Sequence, residues 1–163
     1  MLLTCSRFDQ LNLDELMQVY IEDNIENGAA HYPNESEKMQ LQLAELDFEE
    51  YLRRDFFVAV NARYYVWEEK GKYISALRLE PYKDGLLLCA LETRPDCRCM
   101  GYAKQLIYQV LSLTELPVYS HISKRNIASI HAHINCGFQK LREGAKYLDG
   151  SVNMKSDTYC YRK

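Results

Sequence analysis

At 163 residues, 47% of them apolar and 26% charged, the chain is long enough to bury a core and too hydrophobic for intrinsic disorder. Its net charge of -3 offers no global attraction to phosphate backbones, and it has no run of about 18 apolar residues to span a bilayer, so neither nucleic acid nor membrane is an expected partner. The opening residues lack a basic region followed by an apolar stretch, so no signal peptide is expected, and six cysteines without the spacings of a secreted scaffold point to a reducing, cytoplasmic setting.

In chain order, LLTCS at 2–6 predicts a first strand. NLDELMQVYIEDNIENG places Leu13, Leu16, Met17, Tyr20, Ile21 and Ile25 at helical spacing, and predicts one helix that the Asn27-glycine pair ends. Ser36 is positioned to cap a second helix over 36–54, with Met39, Leu43, Leu46, Phe48 and Leu52 as its apolar stripe. FFVAV is compatible with either a continued helix or a new strand. From Arg63 the period changes, because RYYVWEEKGKYISALRLEPYKDGLLLCALETRP holds β-rich runs separated by Lys-Gly and Asp-Gly turns. It predicts an antiparallel meander. The last run, 86–91, is apolar at successive positions, which predicts a central strand buried on both faces. Most of the thirteen tyrosines alternate with apolar residues in predicted strands, as sheet-packing aromatics do.

GYAKQLIYQVLSLTEL predicts a helix with Ala103, Leu106, Ile107, Val110 and Leu111 inward, and PVYSHI predicts a strand. NIASIHAHINCGF predicts a helix with Ile127, Ile130 and Ile134 on its inner side and Gly137 as the stop, and the remaining residues supply one or two strands. With no repeat or linker visible, the expectation is a single α/β domain over 1–163, built on a mixed sheet.

The stretch RPDCRCMGYAKQL joins the buried run to the next helix. Cys97 and Cys99 are one residue apart and have no companion pair, whereas zinc asks for about four ligands and redox pairs for two intervening residues, so no metal is expected. Gly101 sits where the backbone of a strand-turn-helix comes closest to a ligand, and free amides at a helix start favour an anion. Neither Gly-Lys-Ser/Thr nor Gly-x-Gly-x-x-Gly is present. On spacing alone, a phosphate cradle and a plain structural turn both remain open.

The same residues resemble a known family. Arg98, Gly101 and Ala103 match the R/Q-x-x-G-x-G/A loop of the GNAT acyltransferase superfamily, after a strand and a proline-containing turn and before an amphipathic helix. A second match follows in order, with Asn126, Ser129 and the Gly137-Phe138 close of that family's next helix. The resemblance covers 63–138 best. It implies a GNAT-type α/β fold: a central mixed, mostly antiparallel sheet flanked by helices, with a splayed cofactor cleft. It further implies an N-acetyltransferase that passes the acetyl group of acetyl-CoA, its co-substrate, to a primary amine of a small molecule or peptide by direct attack. Homodimers are common in the family, and the sequence leaves the assembly open.

By the same resemblance, the backbone amides of Cys99, Met100, Gly101, Tyr102, Ala103 and Lys104, next to Arg98, would hold the pyrophosphate of coenzyme A. The strand at Leu91 and Thr93 would pair with the pantetheine arm, and Asn126 would touch that arm with Ser129 nearby. Asn126 reads equally as a helix cap. The chain departs from the family where many members carry a tyrosine as general acid: His133 stands there, able to donate a proton near neutral pH or to serve only as a helix-face residue. The sole carboxylate near the usual base position is Glu92, which reads either as a base or as a strand-end ion pair. If the proton chemistry has been lost, the alternative is a catalytically silent coenzyme A-binding regulatory module.

Overall fold

The computed structural model describes all 163 residues. Strand β1 (Leu2–Cys5) leads through a short turn to helices α1 (Leu13–Val19), α2 (Ile21–His31) and α3 (Glu37–Tyr51). The meander follows as β2 (Arg63–Glu69), β3 (Lys72–Tyr82) and β4 (Gly85–Thr93), then α4 (Tyr102–Ser112), β5 (Val118–Ser123), α5 (Ile127–Asn135), β6 (Gln139–Lys146) and β7 (Val152–Tyr161). The strands form one seven-stranded sheet in the order β1-β2-β3-β4-β5-β7-β6. Every neighbouring pair is antiparallel except β4 and β5, which run parallel. The expected mixed, mostly antiparallel architecture is present.

Helices cover both faces. On one, Leu16, Val19 and Tyr20 pack with Leu52, Phe56 and Tyr64, and on the other Leu106, Ile107, Val110 and Leu111 pack with Leu79, Val118 and Phe138. Tyrosines 64, 65, 73, 82, 119 and 159 are buried in this sheet, as the alternation predicted.

Several boundaries differ from the sequence reading. The first predicted helix is two helices that break at Tyr20, whose φ of -99° and ψ of 18° are not helical. The second half then runs past Asn27 to His31 instead of stopping at the glycine. There Gly28 serves close packing, since a Cβ would lie 2.4 Å from the Gln40 carbonyl oxygen of α3. Ser36 does cap α3, accepting from the Met39 amide, yet Met39 and Leu46 are exposed. The helix widens at Leu52–Phe56 into a π turn, in which the Phe57 amide donates to the Leu52 carbonyl, so FFVAV is neither a continued α-helix nor a strand. On α5 the buried residue is His133, whereas Ile127 and Ile134 face outward at 55% and 50% exposure. Of the three predicted isoleucines only Ile130 packs against the core, partly buried.

Strand β4 is central, but only Leu88 and Thr93 within it are buried. The reason lies in its pairing with β5, which spans Leu86–Val118 to Leu88–Ser120 and then stops. Beyond Leu88 the strands part, and β4 borders an opening. At its closed end Gly85 is required, because a Cβ there would sit 2.1 Å from the Pro117 carbonyl oxygen.

Candidate functional site

The parting of β4 from β5 leads into a cleft of about 530 Å³. Its walls include Leu91, Glu92 and Thr93 from β4, Arg98, Cys99, Gly101, Tyr102, Ala103 and Lys104 from the following loop and helix, and Asn126 and Ser129 from the start of α5. These are all among the residues singled out from the sequence. Met100 is the loop member outside the lining, its side chain 67% exposed. Glu22, Asp23 and Glu26 of α2 form the facing wall, and no sequence pattern marked them.

The loop owes its shape to two left-handed residues, Cys99 at φ 62° and Gly101 at φ 86°. Glycine adopts that conformation without penalty, and successive turns of this kind aim amides at one point. A Cβ on Gly101 would meet nothing within 4 Å, so the space in front of the loop is left open. Helix α4 begins at once, with Gln105 N–H donating to the Gly101 carbonyl at 3.0 Å as its first internal bond. The amides before it have no intrahelical acceptor, as at every helix start. Open space, converging amides and a parted parallel pair suit the pyrophosphate and arm of coenzyme A.

Side chains fix this loop from outside. Arg94 bonds Glu15 of α1 at 3.1 Å, and Arg98 bonds Glu22 at 2.6 Å and the Thr93 carbonyl at 3.2 Å. The Arg98 guanidinium therefore ties α2 to β4. Thr93 turns inward and donates its hydroxyl proton to Ser75 Oγ at 3.0 Å. Asn126 caps α5 by accepting from the Ser129 amide at 3.0 Å while still lining the cleft, so the two readings of this residue coexist.

Between β3 and β4 the register slips by one residue, with Ala76 opposite Glu92 but Arg78 opposite Cys89. The extra residue makes a bulge at Ala90, held at φ 50°, and the Tyr20 hydroxyl donates to its carbonyl at 2.6 Å. Bulges re-aim the residues that follow them. Nothing in GLLLCALET foretells it, and Tyr20 was read only as a core residue.

Glu92 lies just past the bulge with its side chain 28% exposed and Arg98 Nη2 at 3.7 Å. Burial, reinforced by the Asp23 carboxylate and opposed by Arg98, pushes its carboxyl up to about 7. It is thus neither a free surface carboxylate nor a tightly neutralised one. His133 occupies a smaller adjoining cavity between the parted strands, joined to the cleft at Leu91, Asn126 and Ser129. Its Nδ1 lies 2.8 Å from the Ser129 carbonyl oxygen, an acceptor only, so Nδ1 carries the proton. Nε2 is then an unprotonated, buried nitrogen with no partner, and burial lowers the histidine's affinity for a second proton.

On the other side of Ala90 a cavity of about 350 Å³ opens between α2, α3 and the sheet. Asp23 lines both this cavity and the cleft and so stands on the border between them.

A seven-stranded sheet that splays at its parallel pair beside an amide-lined loop is the fold of the acetyltransferases with which the chain aligns in three dimensions. The family model for the acetyltransferase (GNAT) family matches residues 16–138, and the chain belongs to that family. Among solved structures, PaiA N-acetyltransferase from Thermoplasma acidophilum in complex with coenzyme A superposes with a TM-score of 0.67 at 13% identity, over 100% of this chain and 99% of that one. Spermidine N-acetyltransferase from Vibrio cholerae, in complex with CoA and spermine, gives 0.58 at 20% identity over 98% and 92%. The ribosomal-protein-S18-alanine N-acetyltransferase from Escherichia coli gives 0.56 at 17% over 98% and 91%. At these identities the likeness is one of fold. No curated protein sequence matches the chain significantly.

Proposed function

We propose that the chain, acting over 1–163 as one domain, is an acetyl-CoA-dependent N-acetyltransferase for a primary amine of a small molecule or peptide. The observation that carries this reading is the opening of β4 from β5 after Leu88 beside the loop at Gly101. The structural neighbours named for amine acceptors, spermidine in one and a protein alanine in another, fit an amine here too. Six unpaired thiols fit a reducing compartment such as the cytoplasm.

Acetyl-CoA supplies the acetyl thioester: the amine nitrogen bonds to the acetyl carbon, the carbon–sulfur bond breaks and the thiolate leaves. The amides of Cys99, Met100, Gly101, Tyr102, Ala103 and Lys104 would hold the pyrophosphate, and the unpaired backbone of Leu91 and Thr93 the pantetheine arm. Asn126 spends its side-chain oxygen on the helix cap and keeps its NH₂ for the same arm, next to Ser129. The work left to side chains is to orient the amine, take its proton and return one to sulfur. Glu92 is our general base, since a carboxylate poised near 7 accepts an amine proton while remaining ionised at physiological pH. His133 is the group assigned to return a proton to the thiolate. It must first become an imidazolium, because Nδ1–H is committed to Ser129 and Nε2 is bare, and burial works against that state. Glu92 is accordingly the better supported of the two.

Thiol release from acetyl-CoA, followed with a panel of amines, tests the reading. Turnover with at least one amine is expected. Coenzyme A binding with no turnover on any amine would leave only a binding module.

A further inference from the structure

The cavity behind Ala90 has a polarity that acetyl transfer alone does not ask for. Its floor carries Arg78 of β3, whose side chain is only 15% exposed. The guanidinium lies over the rings of Tyr51 and Phe56, 4.9 and 5.5 Å from their centroids. Arg78 Nε is buried without a hydrogen-bond partner, the closest carboxylate oxygen being that of Glu80 at 3.6 Å. Glu80 is itself shared, since it accepts from the Tyr51 hydroxyl at 3.4 Å. The Tyr64 hydroxyl in the same core is also buried and unpartnered. A buried cation with donors left unsatisfied is expensive, and a guanidinium with its plane fixed by flanking rings matches a carboxylate through two parallel N–H bonds.

Position gives this cation a purpose. Arg78 pairs with Cys89, one residue from the Ala90 bulge, so it stands beside the point where the cavity backs onto the parted strands. On the border between cavity and cleft the charge is opposite, because Asp23 lines both. Asp47 at the rim is engaged by the Tyr32 hydroxyl at 2.6 Å. Tyr20, Phe48 and Tyr51 supply apolar wall. Cation at the floor, carboxylate at the border with the cleft and aromatic walls are complementary to a small zwitterion. A polyamine would set its second ammonium against Arg78.

Building on the acetyltransferase reading above, we propose that the acceptor is an α-amino acid with an apolar side chain, its carboxylate held by Arg78 and its amine directed past Asp23 to Glu92. Its products are the N-acetyl amino acid and free coenzyme A, with the amine proton passing to Glu92 and the thiolate protonated.

The test is a calorimetric titration of the twenty standard amino acids into the protein saturated with coenzyme A. Carboxamides and decarboxylated amines of the apolar members, such as phenylalaninamide and phenethylamine, are titrated alongside, and thiol release from acetyl-CoA is followed for each. An apolar amino acid is expected to bind at least about tenfold tighter than its amide or its amine, a difference of ~1.4 kcal/mol. Arg78→Gln should erase that preference and Arg78→Lys should keep part of it. If either variant fails to fold, the comparison on the unaltered protein still decides. Amides or amines binding as well as the acid, or no amino acid binding, overturns the proposal. Turnover of amines without carboxylate preference would sink it and leave acetyl transfer standing, whereas selective binding without thiol release would do the reverse.

Discussion

Glu92 and His133 are both titratable, and their surroundings push them in opposite directions. Burial and Asp23 raise the Glu92 carboxyl to about 7, while burial lowers His133. A base that ionises above an acid's own pKa leaves few molecules with both groups in working form. With Glu92 as the base, kcat/KM should rise with pH through about 7, and Glu92→Gln should cost about a hundredfold in kcat and remove that rise. If turnover in His133→Phe is unchanged across pH, His133 has no part in the proton transfer. The same carboxyl has a stability signature. Its folded-state pKa is above its unfolded one, so the folded protein holds more protons between about 4.5 and 7, and this contribution to stability is lost as pH rises through that window. Glu92→Gln should therefore raise the melting temperature more at pH 8 than at pH 5. Glu92 was visible in the sequence as the one carboxylate near the loop. Its environment was not, because Asp23 comes from α2, far away along the chain.

Among the elements, β4 and its loop carry the site. The Ala90 bulge depends on the Tyr20 hydroxyl, which reaches it from the break between α1 and α2. Tyr20→Phe should leave that carbonyl short of a partner, cost about 1–3 kcal/mol in unfolding free energy, and slow turnover more than it weakens coenzyme A binding. Gly101→Val forces a β-branched residue to φ 86° and fills the open space before the loop, so coenzyme A affinity should fall about tenfold or more with the fold retained, as titration would measure. The loop and the second motif were legible because turn chemistry and helix starts are local. The bulge, the break at Tyr20 and the inward face of α5 were not. Each is set by tertiary packing: His133 is inside because Phe138 meets it edge-on at 5.0 Å, while Ile127 and Ile134, despite their spacing, lie on the outer face.

At the scale of the molecule, two kinds of work meet at α2. The cleft sets the loop after β4 against Glu22, Asp23 and Glu26, and the cavity between α2, α3 and the sheet presents charged and aromatic side chains, with Asp23 lining both. The antiparallel meander followed from turn signals, the mostly antiparallel sheet as a whole from the family resemblance, and the C-terminal residues predicted only one or two strands. The divergence of β4 from β5 was not legible in the strand pattern, since an apolar run reads as fully buried whether a neighbouring strand or a ligand covers it. Coenzyme A between those strands is the claim on which the rest stands, and thermal unfolding with and without acetyl-CoA tests it directly. A ligand that binds only the folded state at about 100 times its Kd adds ~2.7 kcal/mol. For a chain of this length that is an upward shift of roughly 5–10 °C. An unchanged melting temperature at saturating acetyl-CoA would contradict it.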